Sequence, residues 1–356
     1  MTAVTATPAV SAHPATARIA VLGATGYTGG EFARLALTHP GIMLDALVVR
    51  SLDGQDLEHV LPGVDPRALP AGGPARIELD ALLERITHGT VDTLVVALPH
   101  GAWRALLAER PALQAAAAGL RVLDLSSDHR DGSAGYVYGL PEAFRGQIRS
   151  ASRVANPGCY PTAAALALLP AASAGWVDGP VMIHALSGVT GAGRGANLAN
   201  SFVEVDGGAS FYKVGTVHGH VAEMTRNLER FQDGRAAEVA FVPQIVPMAR
   251  GILLSAQCRL TRRVSPEEAR GVYADRYADE PFVRVLDPEA WPRTRSVNGS
   301  NRVDIQVTTL FDGTVLLATA AIDNLAKGAA SQALQNLNLM LGWPETTGLP
   351  RHGRPW

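Results

Sequence analysis

The sequence predicts an α/β protein in which a doubly wound parallel sheet is followed by an α+β second domain. Three observations carry that prediction. A buried strand near residue 20 runs into a glycine-rich turn and then a helix. Short apolar strands and helices alternate up to about residue 155. Longer β-rich runs take over after Cys159.

The first strand is Arg18–Leu22, followed by Gly23-Ala24-Thr25-Gly26-Tyr27-Thr28-Gly29-Gly30 and a helix over Glu31–Leu37. Strand, glycine-rich turn and helix in that order are what a dinucleotide-binding turn requires. Gly23 permits the tight turn, Gly26 lets backbone approach a pyrophosphate, and Gly29 lets the helix pack close to the strand. The anion then rests on the helix N-terminus, flanked by Thr25, Tyr27 and Thr28. The plain alternative is a turn without a ligand. The second strand, Leu44–Val49, ends in Arg50-Ser51 rather than in the acidic residue that accepts from a ribose hydroxyl. A cation and a hydroxyl suit a 2′-phosphate, so the cofactor reads as NADP. Arg50 as a solvated strand-end charge is the competing reading.

Two further strands, Leu94–Leu98 (after a helix at Asp80–Ile86) and Arg121–Leu125, end in Pro99-His100-Gly101 and Ser126-Ser127-Asp128. Loops beyond the strand ends line the ligand crevice of an open parallel sheet, which turns His100 and Ser126 toward the cofactor. His100 reads equally as a turn residue. After Cys159 come strands at Val181–Leu186, Glu238–Val242, Ile252–Leu260, Val303–Leu310 and Thr314–Ile322, with a helix near Pro266–Tyr277. That pattern suggests an antiparallel sheet with helices on one face. Lys327–Leu341 reads as an amphipathic helix returning to the first domain. The expected division is a disordered tail over 1–16, a nucleotide-binding domain over 17–157 completed by 323–356, and a catalytic and oligomerisation domain over 158–322.

Cys159, in Asn156-Pro157-Gly158-Cys159-Tyr160-Pro161-Thr162, is the most informative side chain. A proline two places beyond it, followed by strong helix formers, marks the opening turn of a helix. Unpartnered amides and the positive end of the dipole lie there. A thiol so placed is expected to have a lowered pKa and to act as a nucleophile, with the same amides accepting an oxyanion. The alternative is a small buried residue. Cys258, inside an apolar strand, reads as a structural thiol.

Three later clusters look chemical. His218-Gly219-His220 lies three residues before Glu223, and at i, i+2 in an extended segment both rings face one side. Either imidazole can move a proton; a surface pair and two zinc ligands are the alternatives, but no further ligand stands at a suitable spacing. Ser187-Gly188-Val189-Thr190-Gly191-Ala192-Gly193-Arg194 is a second glycine-rich loop ending in a fixed cation able to clamp a carboxylate or phosphate. Asn298-Gly299-Ser300-Asn301 is a polar turn that equally suits a hairpin.

Composition narrows the class. The 356 residues are 47% hydrophobic and 18% charged, with formal net charge −2. That length holds two domains and a sizeable core, and no basic block points to nucleic acid. No apolar run reaches the ~18 residues that span a bilayer. Two cysteines give no disulfide framework and suit a reducing cytoplasm. Residues 1–16 lack the pattern of a secretion signal.

These motifs together resemble the N-acetyl-gamma-glutamyl-phosphate reductase family of arginine biosynthesis, from about residue 18 to 350. The resemblance rests on the turn at Gly23–Gly30, Ala97–Gly101, Tyr138–Glu142, Asn156–Thr162 and Ser187–Arg194. It continues through Val246–Met248, Gly251–Leu253, Gly299–Asn301, Ala321–Leu325 with Lys327-Gly328, and Gly342–Leu349. It implies a Rossmann domain joined to a catalytic domain like that of glyceraldehyde-3-phosphate dehydrogenase. It implies Cys159 as nucleophile, His218 or His220 as acid–base, NADPH as hydride donor with the nicotinamide near Asn324, an acyl phosphate as substrate, phosphate as product, and a dimer or tetramer. Substrate contacts fall on Arg194, Ser187, Asn156 and Glu223. Cofactor contacts fall on Gly23, Thr25, Gly26, Tyr27, Thr28, Gly29, Arg50, Ser51, Pro99, His100, Ser126, Gly191 and Asn324; no metal is implied. One stretch departs from the family. Where members carry an arginine between the histidines and a proline before the glutamate, this chain has Gly219 and Ala222; Phe202–Ser210 and His129 also differ. A sister branch reduces a carrier-protein-linked 2-aminoadipate phosphate for lysine synthesis. A non-catalytic NADP-binding sensor is the reading from outside the enzymes.

Overall fold

The computed structural model describes residues 16–54, 56–70, 73–195 and 198–354; the tail expected over 1–16 lies almost wholly outside them. The first sheet uses β1 (Ala17–Leu22), β2 (Ile42–Val48), β3 (Ala75–Ile77), β4 (Thr93–Val96), β5 (Arg121–Asp124), β6 (Val137–Tyr138) and β7 (Arg153–Ala155). Their order is β3-β2-β1-β4-β5-β7-β6, and every pairing is parallel. The strand order reverses between β1 and β4. A crevice opens beyond the carboxyl ends of strands at such a point.

The second sheet uses β8 (Val177–Ser187), β9 (Ser210–Phe211), β10 (Val239–Ile245), β11 (Ile252–Leu260), β12 (Val283–Val285), β13 (Val303–Leu310) and β14 (Val315–Ile322), in the order β12-β13-β14-β11-β8-β10-β9. It is mixed rather than antiparallel: β8 pairs parallel with β10, and β12 with β13. The reason lies in the connections. The helix His220–Phe231 stands between β8 and β10, and a crossover of that kind returns the chain in the same direction. Strand composition alone carries no information about that crossover.

The helix Cys159–Ser173 is apolar on every side, and residues 160–172 are buried between β11, β14 and the helix His220–Phe231. Pro170 in its interior removes the amide that would bond to Leu166. The hydroxyl of Tyr277 donates to that Leu166 carbonyl at 2.5 Å, and Tyr273 donates to Ala167 at 2.6 Å.

The segment read as one amphipathic helix over Lys327–Leu341 is a π turn, Ala326–Ala330, running into the helix Ser331–Met340. All ten residues of that helix are buried. Its polar side faces other backbone instead of solvent. Gln332 and Asn336 donate to the Gly139 carbonyl at 2.8 Å each, and Asn338 donates to Glu345 and Thr347 carbonyls. A polar stripe that satisfies internal acceptors looks in sequence like one facing water. The turn Asn298–Asn301 is no hairpin: Gly299 N donates to Asp323 at 2.6 Å, and Asn301 is buried against Gln335.

Candidate active site

A cleft of about 960 Å³ runs between the two sheets, from Arg50 and Arg110 at one end to Cys159 and His220 at the other. Its cofactor side starts at the first glycine turn. Gly23 has φ +83°, and a Cβ there would fall 2.4 Å from the Ala97 carbonyl oxygen. At Gly26 a Cβ would meet nothing closer than 3.5 Å. The helix Tyr27–Leu37 begins after Gly26 with no side-chain cap, so its first amides are free for an anion. An open glycine, uncapped amides and the Arg50 cation on one wall fit the pyrophosphate and 2′-phosphate of NADP.

Of the residues proposed from sequence for the cofactor, Gly23, Thr25, Gly26, Tyr27 and Thr28 line the cleft, as do Arg50, Pro99, His100, Gly191 and Asn324. Three do not. Gly29 serves packing: its Cβ would lie 2.4 Å from the Gly23 oxygen. Ser51 turns back to accept from the Asp53 amide at 3.2 Å. Ser126 is buried and accepts from the Asp128 amide at 3.2 Å, because a serine just after a strand readily closes its own turn.

At the other end the helix bearing Cys159 also starts after an uncapped glycine, Gly158. The Gly158 amide is already taken by Glu223 Oε1 at 2.9 Å, and Pro161 has no amide. The amides of Cys159 and Tyr160 remain, and both act on the sulfur. The expectation of an acidified thiol is overturned. Burial pushes Cys159 up to about 11, outweighing the Tyr160 amide and the Arg130 guanidinium, which pull it down.

The two histidines are separated by their surroundings. The segment is not extended: Gly219 has helical angles and His220 opens the helix His220–Phe231. The rings still lie 4.9 Å apart. His220 lines the cleft with Cys159, and a Cβ on Gly158 would fall 2.6 Å from its Nε2. Its buried Nδ1 has no hydrogen-bond partner among the described residues. Burial, then the Arg130 charge, hold its pKa well below the usual histidine value. His218 stands outside the cleft lining, edge-on to Tyr160 and Phe241, and its Nδ1 accepts from the His220 amide at 3.1 Å. Burial lowers it to about 4.

Sequence reasoning missed Arg130. It is buried yet lines the cleft, where a Cβ on Gly158 would meet its Nη1 at 2.8 Å. Nη1 donates to Glu223 Oε2 at 3.0 Å, Nε to the Asn156 carbonyl at 2.8 Å and Nη2 to the Leu125 carbonyl at 3.0 Å. Three bonds leave two of its five N–H groups. The signal was present in Asp128-His129-Arg130, a charged run at a strand end.

The residues proposed for substrate are placed differently. Glu223 is buried and spends both oxygens on Gly158, Tyr138 and Arg130, so it holds the wall and does not line it. Asn156 lines the cleft, but its side chain bonds to Pro157, Ala329 and Asn336. Ser187 is buried and donates to the Gly188 carbonyl. Arg194 lines the cleft and donates to the Thr25 carbonyl at 2.9 Å, tying the second glycine loop to the first. Among the described residues no group of three His, Cys, Asp or Glu side chains is placed to hold a metal ion.

Residues 18–151 match the family described as semialdehyde dehydrogenase, NAD binding domain, and residues 159–324 match semialdehyde dehydrogenase, dimerisation domain. N-acetyl-gamma-glutamyl-phosphate reductase of Streptomyces clavuligerus is 42% identical over 355 residues, covering 95% of this chain and 99% of that one. The protein of the same name from Thermus thermophilus is 40% identical over 361 residues, covering 94% and 99%. Among solved structures, aspartate semialdehyde dehydrogenase II of Vibrio cholerae superposes with TM-score 0.71 at 16% identity, over 92% of this chain and 99% of that one. The Candida albicans aspartate semialdehyde dehydrogenase solved with NADP gives 0.67 at 15% identity, over 92% and 98%. These structures share the fold. An ordered set of motifs, one cleft joining a nucleotide turn to a cysteine, and identity near 40% along almost the whole chain place this protein in the N-acetyl-gamma-glutamyl-phosphate reductase family.

Proposed function

We propose that the protein reduces N-acetyl-gamma-glutamyl phosphate to N-acetylglutamate 5-semialdehyde with release of phosphate, using NADPH, as a step of arginine biosynthesis. The observation that carries the reading is the single cleft holding both an uncapped, glycine-opened helix start and the Cys159 sulfur beside His220. The glycine turn, Arg50 and Asn324 would hold the dinucleotide. NADPH, when bound, supplies the hydride that an acyl thioester accepts.

The chain's own groups account for the rest. His220, kept neutral by burial, takes the Cys159 proton as sulfur attacks the acyl carbon. The carbon–sulfur bond forms, the carbon–oxygen bond to phosphorus breaks, and phosphate leaves. Amides of Cys159 and Tyr160 would hold the oxyanion, and Arg130, which lines the cleft with two N–H groups unspent, would hold the departing anion. After reduction the carbon–sulfur bond breaks, the aldehyde leaves, and the His220 proton returns to sulfur. His218 is a positioning residue that fixes the His220 backbone. A thiol that is protonated at rest attacks as His220 receives its proton.

The same reading makes 17–157 with 323–356 the cofactor unit and 158–322 the catalytic and oligomerisation unit of a cytoplasmic dimer or tetramer. Among the described residues no helix is long and apolar enough to cross a membrane.

The test runs the reaction backward: purified protein with N-acetylglutamate 5-semialdehyde, phosphate and NADP should generate NADPH. No reduction with the free semialdehyde, but reduction with a carrier-linked one, would move the protein to the lysine-type branch. Turnover that survives iodoacetamide modification of Cys159 would rule out the thioester route.

A further inference from the structure

We propose that Lys327, which no step above uses, is a positioning residue: its ion pair with Glu142 fastens the π turn that forms the wall behind Cys159. The inference rests on the reading of Cys159 as nucleophile.

Lys327 is fully buried, and its Nζ donates to Glu142 Oε1 at 2.6 Å and to Gln335 Oε1 at 2.8 Å. The ammonium also lies 5.9 Å from the centre of the Phe282 ring. Glu142 Oε2 has no partner among the described residues, so Lys327 is what compensates this carboxylate. Taking both charges out of water costs more than an apolar pair of the same shape, so stability alone is a poor reason for them. Position is the better one.

The pair lies on the far side of the turn from the chemistry. Lys327 points inward, while the next residue, Gly328, touches the nucleophile: a Cβ there would fall 2.8 Å from Cys159 Cβ. Gly328 N bonds to the Asp323 carbonyl at 2.9 Å and Ala330 N to the Leu325 carbonyl at 2.8 Å, the wide i→i+5 pattern often found at functional sites. Leu325, Gly328 and Ala329 line the cleft beside Asn324, and the Ala329 carbonyl accepts from Asn156 at 3.2 Å. A carboxylate on the helix Pro141–Ser150 of the first domain therefore sets where the turn meets the Cys159 residue carried by the second. The fastening extends outward. Gln335 donates to Glu345 at 2.6 Å, and Arg145 binds both Glu345 and Glu280, which follows the second domain's helix Pro266–Tyr277.

The test uses the double variant K327M/E142Q, which removes both charges and leaves no buried ion unpaired. Turnover, NADPH binding by nicotinamide fluorescence, unfolding temperature and the rate of Cys159 alkylation (read on its peptide by mass spectrometry) are compared with wild type. The expected result is a folded protein that binds NADPH within threefold of wild type, with kcat down about tenfold or more at little-changed KM, as small displacements of reacting groups produce. Cys159 alkylation should rise at least fivefold as the turn lifts from the Cys159 side chain. A folded double variant with kcat and alkylation both within twofold of wild type overturns the proposal. If the double variant does not fold, E142D, which keeps both charges but shortens the reach of the carboxylate, is held to the same outcomes. Alkylation does not depend on the substrate assignment, so a wild-type enzyme that fails to turn over its substrate is distinguishable from a failed fastening.

Discussion

Two helix starts face the same cleft with nearly the same backbone and opposite chemistry. Gly26, before Tyr27, has φ −79° and ψ 162°; Gly158, before Cys159, has φ −70° and ψ 156°; neither helix has a side-chain cap. Around Gly26 a Cβ would make only an ordinary contact, 3.5 Å from the Gly23 oxygen, and Tyr27 is 41% exposed. Around Gly158 stand His220 and Arg130, and Tyr160 is 3% exposed. The first is an anion seat accessible to a ligand. At the second the same dipole is outweighed by desolvation, so the sulfur is protonated at rest. A helix terminus favours negative charge, but by too little to overcome burial.

The comparison can be broken at several points. The largest effect is expected at the sulfur: Cys159→Ala should lower kcat at least about 10³-fold, as loss of a nucleophile does, while NADPH binding stays within threefold. Comparable turnover in that variant removes the covalent route. Next comes Gly158→Ala, whose methyl would be driven into His220 and Arg130; about a 10²-fold loss is expected. Gly26→Ala, whose methyl fits without a clash, should leave the Cys159 alkylation rate alone and show its effect only in dinucleotide affinity. Equal losses of alkylation in both glycine variants would mean that the two helix starts do not differ in this way. Glu223→Ala leaves the buried Arg130 charge without its carboxylate, and about 3–5 kcal/mol of stability should go, measured by denaturant unfolding.

Smaller effects sharpen the same contrast. Arg50→Ala should weaken NADPH binding about tenfold and leave NADH nearly unchanged; equal changes for both would detach Arg50 from the 2′-phosphate. With Cys159 raised to about 11, alkylation in the free protein should keep accelerating as pH rises through 9, and a plateau by about pH 8 would contradict the burial argument. The smallest effect concerns His218, lowered to about 4. Between its ordinary value and 4 the unfolded chain binds a proton that the folded chain does not, so stability falls as pH drops through that window. His218→Asn should flatten this slope.

Legibility in the sequence followed range. The strand–turn–helix at Ala17–Leu37 and the helix start at Cys159 were readable because glycine placement and apolar periodicity act over a few residues. Strands β11 and β13 and the helix Pro266–Tyr277 matched to the residue. The mixed pairing of the second sheet was not readable, since direction depends on what crosses between strands. Arg130 and Glu223, ninety-three positions apart, have no local signature that separates a cleft wall from a solvated charge. Ser126 and Ser187 show the converse: polar residues at strand ends that close on themselves.

By itself the sequence determined the longer strands, the two glycine-opened helix starts and the identity of the nucleophile candidate, because these depend on backbone preferences of neighbouring residues. Only the tertiary structure decided that the thiol is half-buried in the cleft wall, that His220 and not His218 reaches the cleft, and that the polar C-terminal helix lies inside. Those outcomes are set by desolvation and by hydrogen bonds between residues far apart in the chain, and such energies exist only once the two sheets close on each other.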